Sequence, residues 1–135
     1  MIYEYDLTIP ANTLVSAPVR QIMLIDRGII HKVEVEFPGG SNKAVLVTIR
    51  DALHQVYPTN PDGQLKANNF TISGSEWLEV EEPPYQLEAY GWSPGTTYQH
   101  VITIRLYQLP REVLEPGRDA MNFLGRLRGL LFGGR

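Results

Sequence analysis

The chain has 135 residues, a formal net charge of −3 and no cysteine. This length predicts one domain with a buried core, and a content of 43% hydrophobic and 20% charged residues excludes wholesale disorder. The lack of cysteine excludes disulfides and thiolate metal sites. The acidic first residues and the lack of an apolar run of about 18 residues predict neither a signal peptide nor a membrane-spanning helix.

Charge is divided unevenly between residues 1–109 and residues 110–135. The first range holds seven basic and twelve acidic residues, a net charge of −5, and the second holds five arginines and three acidic residues, a net charge of +2. An acidic body repels the phosphate backbone of nucleic acids, and the five arginines are spread along the whole second range. We therefore expect no nucleic-acid partner.

Alternating apolar residues predict strands in the first half of the chain. Residues 2–9 present an aromatic and aliphatic face, residues 19–25 form a second apolar run, and residues 29–37 and 43–50 alternate regularly. The loop PGGSN at residues 38–42 separates the last two runs, which predicts that they pair as an antiparallel hairpin. The faces expected to point inward are Tyr3, Tyr5, Leu7 and Ile9, then Ile29, His31, Val33, Val35 and Phe37, then Val45, Val47 and Ile49.

The second half continues with short strands at residues 54–57, 70–72 and 77–80, followed by a hairpin over residues 85–109 around the connector GWSPG. Tyr98, His100, Ile102, Ile104 and Leu106 share one face of its second strand. Eight or nine short strands, with no helical pattern before residue 110, predict an all-β fold. We expect a jelly-roll-like antiparallel β-sandwich over residues 1–109, with an open barrel as the alternative. Its core is predicted to include Val33, Val35, Val45, Val47, Ile102 and Ile104.

Residues 110–135 predict a linker and then an amphipathic C-terminal helix that Asp119 caps and that starts at Ala120. Glycines at every fourth position lower the helix propensity by about 1 kcal/mol each, so this tail needs a packing partner. That partner is its own body, a second copy, another protein or, as a less favoured alternative, a membrane surface. The predicted partner-binding residues are Met121, Phe123, Leu124, Arg126, Leu127, Arg128, Leu130 and Leu131.

No catalytic or metal-binding pattern occurs in the sequence. His31, His54 and His100 lack metal-ligand spacing, and no nucleophile elbow, phosphate-binding loop or dinucleotide-binding glycine motif is present. We therefore predict that the protein is not an enzyme and has no metal and no cofactor. His31 and His100 fall on predicted apolar faces, where a hydrogen-bonded histidine at the margin of the core is the favoured interpretation.

Aromatic residues leave a second functional class open. Trp92 in its Gly-Pro connector, with Tyr90 and Tyr57, is a possible ligand platform, because sugars bind on exposed aromatic rings. The favoured interpretation is that these rings fill the ends of a sandwich core or an interface and keep only their polar tips in water. A carbohydrate-binding module is therefore the alternative function, and a hydrolase is a third that requires clustered carboxylates or histidines in a deep pocket.

Three segments together resemble a known kind of protein: YPTNPDG at residues 57–63, EEPP at residues 81–84 and YQHVITIRLYQLP at residues 98–110. They resemble small β-sandwich proteins of tailed prokaryotic viruses, of the type that decorates or cements a capsid. The resemblance covers most of residues 1–110 and carries over no catalytic residue. It implies a structural virion protein, made in the host cytoplasm, whose partners are further copies of itself, the major capsid protein, or both.

Overall fold

Two four-stranded antiparallel sheets form the body of the protein. This computed structural model describes residues 1–114. The strands are β1 (Ile2–Ile9), β2 (Val19–Leu24), β3 (Gly28–Phe37), β4 (Leu46–Asp51), β5 (His54–Tyr57), β6 (Phe70–Val80), β7 (Gln86–Trp92) and β8 (His100–Leu109). Sheet A has the order β1-β8-β3-β6 and sheet B the order β2-β7-β4-β5. The prediction of an all-β antiparallel sandwich is confirmed.

The core lies between the two sheets and receives side chains from both. Every second residue of a strand points the same way, so each strand contributes a row of aliphatic side chains, such as Ile102, Ile104 and Leu106 from β8. Facing them from sheet B are Val47, Ile49 and Leu87. The six core residues predicted from the sequence are all at most 2% exposed, which confirms their inward assignment.

The predicted strand pairs are wrong at two places. The runs around residues 29–37 and 43–50 were expected to form a hairpin, but β3 lies in sheet A and β4 in sheet B. The run before the GWSPG connector is β7 in sheet B, and the run after it is β8 in sheet A. Alternation indicates which face of a strand is buried but not which strand lies beside it. Loops 38–45 and 93–99 therefore cross between the sheets.

A β-bulge changes the inward face of β3 at His31. Between Ile30 and Lys32, β3 has one extra residue relative to β8, and β6 has one extra residue relative to β3. Ile30 therefore joins Val33 in the core cluster. Strict alternation had predicted that Ile29 and His31 would point into the core instead. Ile29 is buried outside that cluster, and His31 is only half-buried. A bulge adds a residue without altering the local composition, so the sequence pattern did not reveal it.

The last strand ends at Leu109, and a single helical turn, α1 (Arg111–Leu114), follows it. The sequence predicted a linker at this position. The turn contacts β3, so the chain is still attached to the body at this point. The helix predicted to start at Ala120 lies outside the described residues.

Candidate functional site

The three aromatic residues predicted as a ligand platform do not share one surface. Tyr90 and Trp92 are on the outer face of β7, opposite the buried side chain of Ala89, and Trp92 is only 8% exposed. Tyr57 packs against the core, with its hydroxyl so close to Gly74 that a Cβ there would lie 2.8 Å away. Burial raises the pKa of Tyr57. The structure therefore does not bring these three rings together on one exposed surface.

Tyr90 belongs to a polar cluster on the outer face of sheet B. Its hydroxyl donates a hydrogen bond of 2.9 Å to Glu88 Oε2, Arg20 forms an ion pair with Glu88 Oε1, and the Arg50 guanidinium carbon lies 4.5 Å from the centre of the Tyr90 ring. The hydrogen bond from Arg20 lowers the pKa of Glu88, and burial together with the bond to Glu88 raises the pKa of Tyr90. Glu88 is thus held as a carboxylate, and the cluster fixes the Tyr90 ring in place.

Strand β6 is the longest strand and forms one edge of sheet A. Its 11 residues pair only with β3 among residues 1–114. Phe70 is 62% and Trp77 48% exposed on this strand. An edge strand presents unpaired backbone N–H and C=O groups that can pair with another chain unless lysine, proline or a bulge blocks it. β6 contains neither lysine nor proline, and residues 70–75, which precede its bulge, carry no charged side chain.

Arg111 attaches the start of the tail to the far end of β6. Its Nη2 lies 2.7 Å from Glu79 Oε2, and its Nε donates to Glu81 Oε1 at 3.1 Å. Arg27 Nε donates to the other oxygen of Glu81 at 2.8 Å, and Trp77 Nε1 donates to Glu79 Oε1 at 3.2 Å. Hydrogen bonds from Arg27 and then from Arg111 lower the pKa of Glu81. We call these five residues the tail root; it places Arg111, at the start of the tail, close to the exposed Trp77.

The sequence did not reveal the tail root. Glu79 and Glu81 belong to the acidic residues 1–109 and Arg111 to the basic residues 110–135, but 30 positions separate Arg111 from Glu81. The only signal was the opposite charge of the two stretches. That signal does not select these partners among all the acidic residues of the body.

A cleft of about 210 Å³ opens at the other end of β8, between loops 38–45 and 93–99. The ring of Tyr98 lies 4.7 Å from the ring of His100, and the Tyr98 hydroxyl donates to the Gly40 carbonyl oxygen at 3.3 Å. Among residues 1–114, no carboxylate, lysine or arginine lines the cleft. The lining consists of Gly40, Ser41, Asn42, Ala44, Gly95, Thr96, Thr97, Tyr98 and His100.

His100 is 4% exposed, and neither of its ring nitrogens has a hydrogen-bond partner within residues 1–114. Its burial confirms its predicted inward position. Tyr98, which was assigned to the same face, is instead exposed, because β8 begins only at His100. The predicted hydrogen bond is not found, because the neighbouring side chains on this strand are aliphatic and the nearest ring, that of Tyr98, directs its hydroxyl to Gly40. His31 differs: its ring meets that of Tyr107 edge-on at 6.3 Å.

A second recess, of about 370 Å³, is lined by Asp51, Glu79, Glu81 and Glu82 with residues 83–84. The carboxylates of Glu79 and Glu81 are already paired with Arg111 and Arg27. In the part of the chain that the structure describes, no group of three histidine or acidic residues is arranged to hold a metal ion.

Two further sequence predictions concern membranes and the tail. Within residues 1–114, no helix is long and apolar enough to cross a membrane. The predicted partner-binding residues of the tail lie beyond the described range. They are Met121, Phe123, Leu124, Arg126, Leu127, Arg128, Leu130 and Leu131.

Comparison with known proteins assigns no family. No family model matches the chain, and no curated protein matches it. Among solved structures, the chain is similar to a subunit of the disulfide-linked pili that form Bacillus endospore appendages, with 12% sequence identity and a TM-score of 0.32. The match covers 81% of this chain and 88% of the pilus chain. A likeness at this level assigns neither fold nor function.

Proposed function

We propose that this protein is a non-enzymatic structural component of a virus particle, which decorates or stabilises a capsid and assembles in several copies. Its contacts are made through the exposed edge of sheet A and through the C-terminal tail. Its partners are further copies of itself and the capsid protein. The observation that carries this proposal is the placement of the tail root directly beside the exposed edge strand β6.

The strand order supports a jelly-roll interpretation of the two sheets. A jelly roll arises when one long antiparallel hairpin of eight strands rolls up, so that the first strand pairs with the eighth, the second with the seventh, the third with the sixth and the fourth with the fifth. All four of these pairs occur in the chain. Viral capsid domains, lectins and cupins share this architecture. The fold is compatible with a particle protein but does not decide the function, which depends on the sites.

The edge strand and the tail root support assembly more specifically. Phe70 and Trp77 place two large exposed hydrophobic side chains along β6, and exposed aromatic residues are enriched at protein interfaces. Arg111, at the start of the tail, forms a salt bridge with Glu79. Glu79 also accepts a hydrogen bond from Trp77. A partner that binds the tail is thereby brought to the open edge.

The charge distribution supports the same proposal. Residues 1–109 carry a net charge of −5 and residues 110–135 a net charge of +2. Opposite charges on two parts of one chain attract neighbouring copies and raise their rate of encounter, mainly at low salt. The carboxylates of Glu79, Glu81 and Glu88 are paired with arginines, which favours a structural role for them over acid–base catalysis.

Native mass measurement of the full chain and of a chain that ends at Leu114 tests the proposal. We expect the full chain to form a defined oligomer or to attach to its particle. The shortened chain should keep a β-rich circular dichroism spectrum and lose the assembly. If the shortened chain assembles like the full chain, the tail is not an assembly element.

A substitution in the full chain tests the edge separately. Trp77→Ser should weaken the assembly, because it removes an exposed ring of the edge strand. Val101→Ser is the matched control, since Val101 is also an exposed strand residue but lies on β8 inside sheet A. A full chain that stays monomeric at every concentration, and does not bind a capsid, contradicts the whole proposal.

A further inference from the structure

We propose that the cleft between loops 38–45 and 93–99 binds a neutral, hydroxyl-bearing ligand of the size of one sugar ring, with His100 as its buried hydrogen-bonding group. This inference is independent of assembly, because the cleft lies at the end of β8 opposite the tail root. It moves the candidate for sugar binding away from Trp92, which is buried.

The chemistry of the lining selects a neutral ligand. The lining offers hydroxyl groups from Thr97 and Tyr98, the Asn42 amide and the His100 imidazole, with no carboxylate, lysine or arginine among its residues. A charged ligand would lose part of its hydration here and gain no opposite charge in return. A neutral ligand with several hydroxyl groups exchanges its bonds to water for bonds to these side chains.

His100 explains why the ligand should carry hydroxyl groups. A neutral imidazole has one nitrogen that donates and one that accepts a hydrogen bond. Both nitrogens of His100 are buried without a partner in the described residues, and unsatisfied buried polar groups are rare in folded proteins because they cost free energy. A hydroxyl group both donates and accepts, so adjacent hydroxyls on one ring suit either nitrogen, whichever carries the proton.

Tyr98 supplies an apolar surface in the same cleft. Tyr98 is 55% exposed, and its ring rests against the His100 ring. Part of the tyrosine side chain therefore remains open to a ligand. Aromatic rings offer a large apolar area at low conformational cost. The pairing of an open tyrosine ring with hydroxyl and amide groups fits a ligand that has both C–H and O–H faces, as a sugar does.

The walls of the cleft are held in place before a ligand binds. Asn68 Oδ1 accepts hydrogen bonds from the backbone N–H groups of Gly40 and Asn42, at 3.0 and 3.1 Å. Asn12 Oδ1 accepts one from Gly95 N–H at 2.8 Å. Both loops are therefore fastened by an asparagine from another part of the chain, and a pre-organised site avoids the entropic cost of ordering.

The size of the cleft limits the ligand. At about 210 Å³ it is smaller than the pockets of roughly 300–1,000 Å³ that enclose drug-sized molecules. It therefore accommodates one ring rather than a buried oligosaccharide. Further units of a longer chain would extend into solvent.

The test is an NMR titration of the isotope-labelled full chain with four monosaccharides: D-glucose, D-galactose, D-mannose and N-acetyl-D-glucosamine. We expect at least one to shift the Thr97 and Tyr98 amide signals and the His100 ring signals in a saturable manner. If none of the four shifts them, the proposal is overturned. Inorganic phosphate is titrated as a charged probe. If phosphate shifts the same signals more strongly than every sugar does, the proposal that the ligand is neutral is overturned.

Two variants locate the binding. His100→Phe keeps a ring and removes both nitrogens, and it should raise the Kd at least about tenfold, the effect expected for the loss of hydrogen bonds to a buried group. Thr97→Val removes an exposed lining hydroxyl without a change in shape, and it should raise the Kd about threefold. Thr97 is exposed, so this variant remains informative if His100→Phe does not fold.

Thr59→Val is the matched control, because Thr59 is exposed in a loop that does not line the cleft. Its Kd should equal that of the unmodified chain. Unchanged affinity in the folded Thr97→Val and His100→Phe variants overturns the assignment to this cleft. An equal loss of affinity in Thr59→Val and Thr97→Val also overturns the assignment to this cleft.

Discussion

The two ends of strand β8 carry opposite kinds of chemistry. Beyond Leu109, the tail root gathers two arginines and two glutamates near Trp77 at the surface. Before Ile102, the cleft gathers hydroxyl and amide groups around a buried histidine without any formal charge. Exposed ion pairs add little stability each, typically below about 1 kcal/mol, but they fix a direction for the chain. Buried unpaired nitrogens cost stability, and this cost is the basis of the ligand proposed for the cleft.

The comparison teaches that one strand can hold two chemically different surfaces in place. Between the two ends, β8 contributes Ile102, Ile104 and Leu106 to the core, all fully buried. The core holds each end in place, and the chemistry at each end is set by loops and by residues that follow the strands. The experiments below test two expectations: that both ends of β8 are stabilised by the same core, and that only the tail root is stabilised by ion pairs.

The largest effect is expected at the strand that the two ends share. Ile102→Ala should lower the free energy of unfolding by about 2–5 kcal/mol, because it leaves a cavity in a tightly packed core. Urea denaturation measures the loss, with Val101→Ala on the outer face as the matched control, expected to change it by less than about 0.5 kcal/mol. We expect one cooperative transition in both variants. Two transitions would mean that the ends belong to independent folding units.

The next largest loss of stability is expected at the uncharged end of β8, where the cleft lies. Gly40 has a φ of 94°, and a Cβ added there would lie 2.7 Å from the Tyr98 hydroxyl oxygen. Gly40→Ala should therefore cost about 1–3 kcal/mol through backbone strain and displacement of the ring. Gly39→Ala is the control, because its Cβ would meet only Asn69 at 3.8 Å. Equal melting temperatures for the two variants would show that the position of Tyr98 is not restricted in this way.

A smaller effect should appear at the charged end as the pH changes. The pKa of Glu81 is lowered from 4.5 by its arginine partners, so the unfolded chain binds a proton more readily than the folded one. The stabilisation is fully present above the unfolded value and is lost as the pH falls through the folded value. We expect Glu81→Gln to lower the melting temperature near neutral pH, with the difference from the unmodified chain vanishing in acid.

Glu82→Gln is the control for this pH series, since Glu82 is an exposed neighbour of Glu81. Its melting temperature should follow that of the unmodified chain throughout. A Glu81→Gln difference that stays constant from neutral to strongly acidic pH would mean that the ion pairs do not act through the ionisation of Glu81.

The smallest effect is expected from metal ions. The acidic recess beside the tail root contains Glu79 and Glu81, whose carboxylates already pair with arginines. A calcium ion would therefore have to displace these arginines from the carboxylates. We expect calcium, zinc or a chelator to leave the melting temperature of the full chain unchanged. A rise in melting temperature that depends on calcium concentration, through linkage of binding to folding, would show that the charged end is a metal site.

Much of the fold was readable from the sequence, because alternation in a strand depends on which face is buried. Val33, Val45 and Ile104 were assigned to the core on this basis alone, and all three are buried. The sequence did not predict which strands lie next to each other in a sheet. The pairing of β3 with β6 and β8 depends on contacts across the sheet that local composition does not encode.

The candidate sites were less predictable than the fold. His100 was correctly placed on the inward face, but its lack of a partner depends on loops 38–45 and 93–99, whose paths are set by single residues such as Gly40 and Asn42. Trp92 was expected in the connector after the strand, yet β7 extends to include it. A glycine and a proline nearby suggested a turn two residues too early.

The pairing of β1 with β8 has a consequence for how the chain folds. Ile2 lies opposite Tyr107, so sheet A cannot close until nearly the whole body has been synthesised. Proteins dominated by such distant pairings fold slowly, in about milliseconds to seconds, and their edges are exposed during that time. On the ribosome, the first strand must wait for its neighbour. The tail follows every strand of the body in the chain, so it is synthesised after them and is available to any partner only once they have been made.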